Sequence, residues 1–456
     1  MPAGRGPDRR ARGVRDWRGA LTRRGWAFVV AAVVVLVAAQ VLGRRDLLQL
    51  AVFLALVPLA ALASNALTRP SLEVRREPRP EVVEAGSATE VTLRLRHSGI
   101  LAGTLAMAEV LPAAFGQGPA FAYPGRVVGR DGASSYRYEL GCRQRGLYRI
   151  GPVEARYTDP FGLASQSARL GGDTRLVVTP AAVPLASAVL AGLRGAEGSV
   201  PTRMQSSPND DDVMTREYRP GDPMRRVHWA ATARQGELMV RQEESATSPE
   251  ATLVLDLRHD AFPSGAGPSP SFEWAVTAAM SAAAHLAGLG YSLRLVDTSG
   301  SPALASSPSA PSPSGEGGHE GLHDALHAGP RGVAAIAEGL AAIAPTHAAD
   351  EGDGLADRLL DRLESHRGRG PVVAVLGRTS AAAARSLAPS AATSERALAL
   401  IVTDHARGSR DAAEILRDAG WQVAEASPRT EVRAAWLALD RDPSALARAV
   451  GAEGAP

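Results

Sequence analysis

At 456 residues the chain is too long for one ordinary core, so two or three domains are expected. Its formal net charge of +2, carried by arginine with no lysine at all, gives no support to nucleic-acid binding as the main task. The single cysteine, Cys142, excludes an intrachain disulfide and any multi-cysteine zinc site, and reads as a passive strand residue.

Residues 1–25 carry arginines at eight positions against Asp8 and Asp16 and read as a flexible basic cytoplasmic arm. Two uncharged stretches follow, 26–42 and, after Gly43, Arg44, Arg45 and Asp46, 47 to about 67. Each has roughly 20 residues, which at about 1.5 Å per residue matches a hydrocarbon core of about 30 Å. Both are apolar on every face, and the second follows the first at once, unlike a cleaved signal peptide. Pro58 is expected to kink the second span, which a membrane helix tolerates. The basic arm, with Arg69, Arg75 and Arg76 after the second span, outweighs the two arginines of the turn. By the positive-inside rule both termini and the large domains face the cytosol of a bacterial inner membrane.

From 71 to 180 the periodicity is two. Val91, Leu93 and Leu95 alternate with Thr92, Arg94 and Arg96, and Val153, Ala155 and Tyr157 with Glu154 and Arg156. Short alternating runs between Gly, Pro and Asp turns predict a β-sandwich-like domain. The segment 145–163 within it ends in a turn that Asp159, Pro160 and Gly162 would stabilise, from which Phe161 is expected to plug the core. Residues 181–212 read as a linker.

The stretch 213–242 concentrates unusual side chains. Asp222 before Pro223 is the pattern of an N-cap carboxylate with proline at the first helical position. The helix so begun would run to about Arg234 and stop at Gly236, with Met224, Val227 and Ala231 on one face. A strand would follow in which Leu238 and Val240 alternate with Glu237, Met239 and Arg241. Arg216, Arg225, Arg226, Arg234 and Arg241 share the stretch with Glu217, Asp222, Glu237, Glu243 and Glu244. This is either a network of salt bridges bracing two domains or a surface for an anion or peptide. The signature and interaction candidates are Arg216, Glu217, Tyr218, Gly221, Asp222, Arg225, Trp229 and Arg234.

The run REYRPGDPMRRVHWAATARQGELMVRQEE resembles the signature of a bacterial group, the domain of unknown function 58 family. The resemblance extends back to RGLYRIGPVEARYTDPFGL and to the paired spans, covering about residues 25–300. It implies a membrane-anchored protein with a β-domain and a von Willebrand factor A-like domain, encoded beside MoxR-type AAA+ ATPases. No established reaction comes with it. The role implied is that of a non-enzymatic adaptor or scaffold with a protein partner.

In the rest of 213–450 a near-continuous apolar strand at 251–257 precedes a helix at 271–289, and further strands and helices alternate to about 424. That pattern predicts a doubly wound α/β sheet, in agreement with an A-like domain. Such domains often hold a divalent metal through an Asp followed by two serines at every second position. Here Asp256 is in place, but Arg258 and Asp260 occupy the serine positions, so the metal site reads as lost and no cofactor is expected. Asp404 ends a strand and could face Asp256. Residues 299–318 form a Ser/Pro/Gly-rich, flexible insertion. Directly after it, His319, Glu320 and His323 match the H-E-x-x-H pattern, with His327 repeating the spacing and Glu338 a conceivable third ligand. A zinc hydrolase is therefore the alternative reading, although Gly317, Gly318 and Gly321 undermine the helix it needs.

Overall fold

The computed structural model describes residues 18–67, 71–98, 104–123, 131–187, 189, 215–218, 227, 229–241, 249–263, 268–310, 326–346, 359, 370–404 and 409–440. They fall into two compact units. The first comprises Met1–Ala181, Ser306–Ser314 and Ala334–Ala344; the second comprises Ala182–Ala305, Gly315–Val333 and Pro345–Pro456.

Unit 1 begins with strand β1 (Arg18–Leu21) and helices α1 (Arg23–Leu42) and α2 (Arg45–Leu67). Thr22 caps α1 by accepting the Gly25 N–H, and Gly43 ends it in the left-handed conformation at φ 63°. Helix α2 runs unbroken through Pro58. Val30, Val34, Val37, Phe53 and Leu56 are all exposed, so the pair offers an apolar exterior instead of burying it. Two apolar helices with that exterior are suited to a membrane anchor. The basic arm is shorter than expected: 18–21 form a strand antiparallel to a sandwich strand, and Arg23–Gly25 already belong to α1.

The sandwich strands are β2 (Ser71–Arg79), β3 (Val82–Glu84), β4 (Ala88–Ser98), β5 (Thr104–Glu109), β6 (Ala120–Tyr123), β7 (Asp131–Gly141), β8 (Gly146–Ile150), β9 (Val153–Thr158), β10 (Ala164–Leu170) and β11 (Thr174–Thr179). They pair in three sheets, β1-β10-β9-β5-β6, β2-β4-β7 and β3-β11-β8. Period-two alternation places Leu93 and Leu95 of β4 with Leu105, Met107, Val153, Ala155 and Tyr157 from the largest sheet in one core. A second core gathers Val83, Val91, Leu140, Cys142, Ile150, Leu176 and Val178. Burial pushes the Cys142 thiol up from its ordinary range, which disfavours the reactive thiolate.

Unit 2 contains β12 (Thr215–Glu217), α3 (Trp229–Gln235), β13 (Met239–Arg241), β14 (Glu250–Leu255), α4 (Pro270–Gly288), β15 (Ser292–Asp297), β16 (Val372–Leu376), α6 (Ala381–Leu387), β17 (Ala397–Val402), α7 (Arg410–Asp418), β18 (Gln422–Ala426) and α8 (Val432–Ala438); α5 (Gly329–Ala341) starts in unit 2 and ends in unit 1. Five strands form a wholly parallel sheet in the order β15-β14-β16-β17-β18. Every residue of β16 and β17 is buried, which is why these segments read as continuous apolar runs. Helix α4 is buried almost all round, with Phe272, Val276, Ala279, Ala283 and Leu286 along the expected stripe.

Parts of two stretches expected to lack structure are held by hydrogen bonds. Within 181–212, the Val183 N–H bonds the Ser281 hydroxyl at 2.9 Å, and the Trp436 indole N–H bonds the Ala186 carbonyl at 3.0 Å. In the Ser/Pro-rich insertion, 299–310 is ordered because its serines supply bonds that apolar residues could not. Buried Ser307 and Ser309 donate to the Gly339 and Glu338 carbonyls, each at 2.5 Å.

Candidate functional site

A strand order of 2-1-3-4-5, numbering the parallel strands along the chain, reverses direction between β14 and β16. Ligands of open α/β sheets bind at that reversal, beyond the carboxyl ends of the strands. Asp256 follows β14 there and Gly377 follows β16.

Asp256 is fully buried. Arg258 forks onto it, Nε to Oδ1 at 3.0 Å and Nη2 to Oδ2 at 2.8 Å. The Arg258 N–H adds a bond to Oδ1 at 3.0 Å and the Gly377 N–H one to Oδ2 at 3.2 Å. Only glycine fits at 377, since a Cβ would lie 2.6 Å from the Ala261 carbonyl oxygen and 2.9 Å from the Phe262 ring. The Thr346 N–H donates to Leu257 O at 2.6 Å and the His259 N–H to Thr346 O at 2.9 Å, holding the backbone on both sides of Arg258.

This donor set does not fit a divalent cation. Both Asp256 oxygens accept two N–H bonds each, and a guanidinium occupies the position where the positive charge of a metal would act. Asp404 accepts a bond from the Ser271 hydroxyl at 3.1 Å. Among the described residues, no group of three His, Cys, Asp or Glu side chains is placed to hold a metal. His319, Glu320 and His323 lie outside the described residues. His327 does not continue their helical spacing. It sits in a two-bond bridge with Leu293, at 2.8 and 2.9 Å, ahead of α5. Burial pushes its imidazole below the ordinary 6.5.

The signature stretch is built differently from its sequence reading. Strands β12 and β13 pair antiparallel, Arg216 opposite Val240 and Glu217 opposite Met239, and the Tyr218 N–H extends the ladder to Leu238 O at 2.8 Å. Helix α3 begins at Trp229, and Val227 ahead of it lies in an isolated bridge, so a helix running on from Pro223 is not formed. Gly221, Asp222 and Arg225 lie outside the described residues. The expected stop is in place: Gly236 adopts φ 78°, and its N–H bonds Thr232 O at 2.9 Å. Thr232 Oγ1 then accepts the Met239 N–H at 3.0 Å, tying helix to strand. Its strand alternation is the reverse of that expected, with Met239 buried and Leu238 exposed. Gly236 and Glu237 belong to the bend after α3, and the strand starts at Met239. Trp229 opens the helix and is 66% exposed; Arg234, in its last turn, is also exposed.

Arg145, at the head of the RGLYRIGP run, has a role that the sequence pattern does not show. In unit 1 its Nη1 donates to the carbonyls of Leu340 at 2.6 Å and Ile343 at 3.0 Å, a cation at the C-terminal end of α5. Nothing in the local pattern announces a partner so far along the chain.

Residues 214–309 match the family described as Protein of unknown function DUF58. No curated protein matches the chain. Among solved structures, a CARDB domain from Pyrococcus furiosus in complex with di-metal ions is 14% identical, over 22% of this chain and 93% of that one, with a TM-score of 0.15. An alkylpurine DNA glycosylase from Pseudomonas fluorescens, bound to DNA containing an abasic-site analogue, is 15% identical over 27% of this chain and 36% of its own, with a TM-score of 0.16. Overlaps this slight bear on neither fold nor function.

Proposed function

We propose, from the premise that residues 214–309 belong to the DUF58 family, that this protein is a membrane-anchored, non-enzymatic adaptor. Its α/β domain, A-like in kind, binds a protein partner in the cytosol, and a MoxR-type AAA+ ATPase is the partner to test first. The observation that carries the reading is Trp229, 66% exposed on a helix that Gly236 and Thr232 hold in place. Tryptophan on a rigid exposed element is the side chain most often found at the energetic centre of a protein interface. The sealed Asp256 supports the same reading, because a carboxylate committed to Arg258 is unavailable as a base or metal ligand. On this reading the two apolar helices cross the bacterial inner membrane and leave both termini inside.

Co-purification of the tagged full-length chain with the ATPase from detergent extracts tests this. The wild type retains the ATPase and Trp229→Ala loses most of it while remaining folded. Retention of the same amount by Trp229→Ala refutes the assigned surface, and absence of the ATPase from the wild type refutes the assigned partner.

A further inference from the structure

Phe161 was expected inside the sandwich, yet it is 74% exposed. The turn that carries it is nevertheless firmly built. Asp159 is buried, its Oδ2 accepting the Phe161 N–H at 3.0 Å and its Oδ1 the Ala164 N–H at 2.6 Å. Gly162, at φ 70°, closes the turn by donating to Asp159 O at 3.0 Å. A flexible loop would leave a phenylalanine in water at little cost; here the backbone is fixed with the ring outward.

The turn is fastened to the start of the first span. The Thr22 hydroxyl, which caps α1, donates to Gly162 O at 2.6 Å, and the Thr22 N–H donates to Leu163 O at 2.9 Å. Helix α1 comes so close that a Cβ on Gly25 would lie 2.2 Å from Leu163 O. Leu163 and Ala164 pack with Ala61 of α2 and against Phe28, Val57 and Leu62. Phe28 stands five residues beyond Arg23, about 7–8 Å along the helix at 1.5 Å per residue. The turn therefore reaches the depth at which amphipathic elements meet the headgroup and acyl boundary, about 5–10 Å into the bilayer.

Its surroundings suit that boundary. Trp26, 58% exposed, stands on the first turn of α1, where aromatic residues mark membrane interfaces. Arg23 and Arg24 are exposed, and the Arg24 guanidinium comes within 3.8 Å of the position a Cβ would take on Gly162. Cations at this level meet lipid phosphates and the negative surface of an anionic leaflet.

We propose that the Asp159–Gly162 turn is a second membrane contact of unit 1. Phe161 inserts at the headgroup and acyl boundary of the leaflet where α1 begins, with Arg23 and Arg24 on anionic headgroups. The turn holds the sandwich upright on its spans, so the anchor is a platform and not a tether. This rests on the membrane-anchored reading above.

The test uses the full chain in nanodiscs of phosphatidylethanolamine and phosphatidylglycerol, in a Cys142→Ala background. One environment-sensitive fluorophore is placed at Phe161→Cys, at Val34→Cys in the span, or at Glu90→Cys on the exposed sandwich surface. Quenching by lipids carrying a nitroxide near the headgroup is then read for each. The expected result is a blue-shifted label at position 161, quenched roughly threefold more than at 90, as a shallow interfacial site requires. A label at 161 that behaves like the one at 90, with 34 still embedded, overturns the proposal and leaves the anchor intact. A label at 34 that is also aqueous removes the anchor and the proposal together. A blue shift at 161 that grows with protein concentration and is insensitive to the nitroxide lipids assigns the surface to a second copy, and also overturns it.

Discussion

In unit 1, Arg76 meets Glu109 through one bond of 2.6 Å, whereas in unit 2 Arg258 grips both oxygens of Asp256. Both carboxylates are fully buried. The surroundings differ. Glu109 Oε2, Arg76 Nη2 and the Tyr138 hydroxyl are buried with no hydrogen-bond partner, while each oxygen of Asp256 has two donors. Burial accordingly pushes the Glu109 carboxyl above its ordinary 4.5, although the charge of Arg76 and its bond pull the other way. The Tyr138 hydroxyl is raised as well, by burial and then by Glu109. One pair is an incompletely bonded ion pair inside a sandwich, and the other is a finished joint at the mouth of a parallel sheet. The lesson is that a buried arginine–carboxylate pair is only as stabilising as the donors that complete it.

Breaking the finished joint has the largest expected effect. Arg258→Ala leaves Asp256 buried without its counter-charge and costs unit 2 about 3–5 kcal/mol. Hydrogen exchange of β14 and β16 amides in the full chain reads this, and unchanged protection would remove the joint from the account. The next comparison removes both members of each pair. Arg76→Met with Glu109→Leu is expected to stay within about 1 kcal/mol of the parent, because an incomplete ion pair is replaceable by apolar packing. Asp256→Leu with Arg258→Met stays destabilised by about 1–3 kcal/mol, since the Gly377 and position-258 amides lose their acceptor.

A smaller effect concerns pH, and its sign differs between Glu109 in unit 1 and His285 and His327 in unit 2. Because the folded pKa of Glu109 is raised, the stability linked to it is complete below about pH 4.5 and is lost as pH rises through the folded value. His285, against the Trp436 ring, and His327 are pushed below their ordinary 6.5 by burial. Their contribution is complete above pH 6.5 and is lost as pH falls through the lowered values. Protection of β5 and β9 amides, corrected for intrinsic exchange, should therefore fall with rising pH above 4.5, and that of α4 and β15 with falling pH below 6.5. Glu109→Gln flattens the first slope and His285→Phe reduces the second; slopes of one sign in both units would undo the contrast.

Much of the fold is legible in the sequence because it follows from periodicity. Val91, Leu93 and Leu95 alternate and are all fully buried, and the apolar strand expected at 251–257 is found as β14. The two apolar runs form helices with the turn at Gly43. The site was legible only where one residue's chemistry conflicts with its position, as Arg258 conflicts with a metal beside Asp256. What stayed hidden depends on partners distant in sequence. Phe161 reads as a core plug until its turn is seen fastened to Thr22, and Ser309 reads as part of a flexible insertion until it bonds Glu338. In the signature stretch Asp222 before Pro223 promised a helix start that α3, beginning at Trp229, does not use. A local cap pattern specifies a possibility, and the chain's other commitments decide it.

The most direct test of the adaptor reading is the affinity of the purified full-length chain, in detergent, for a purified MoxR-type ATPase, wild type against Trp229→Ala. The account predicts measurable binding that Trp229→Ala weakens by roughly 30-fold or more, the loss of a central aromatic anchor worth about 2 kcal/mol. Equal affinity for the two chains, or none for either, would contradict it.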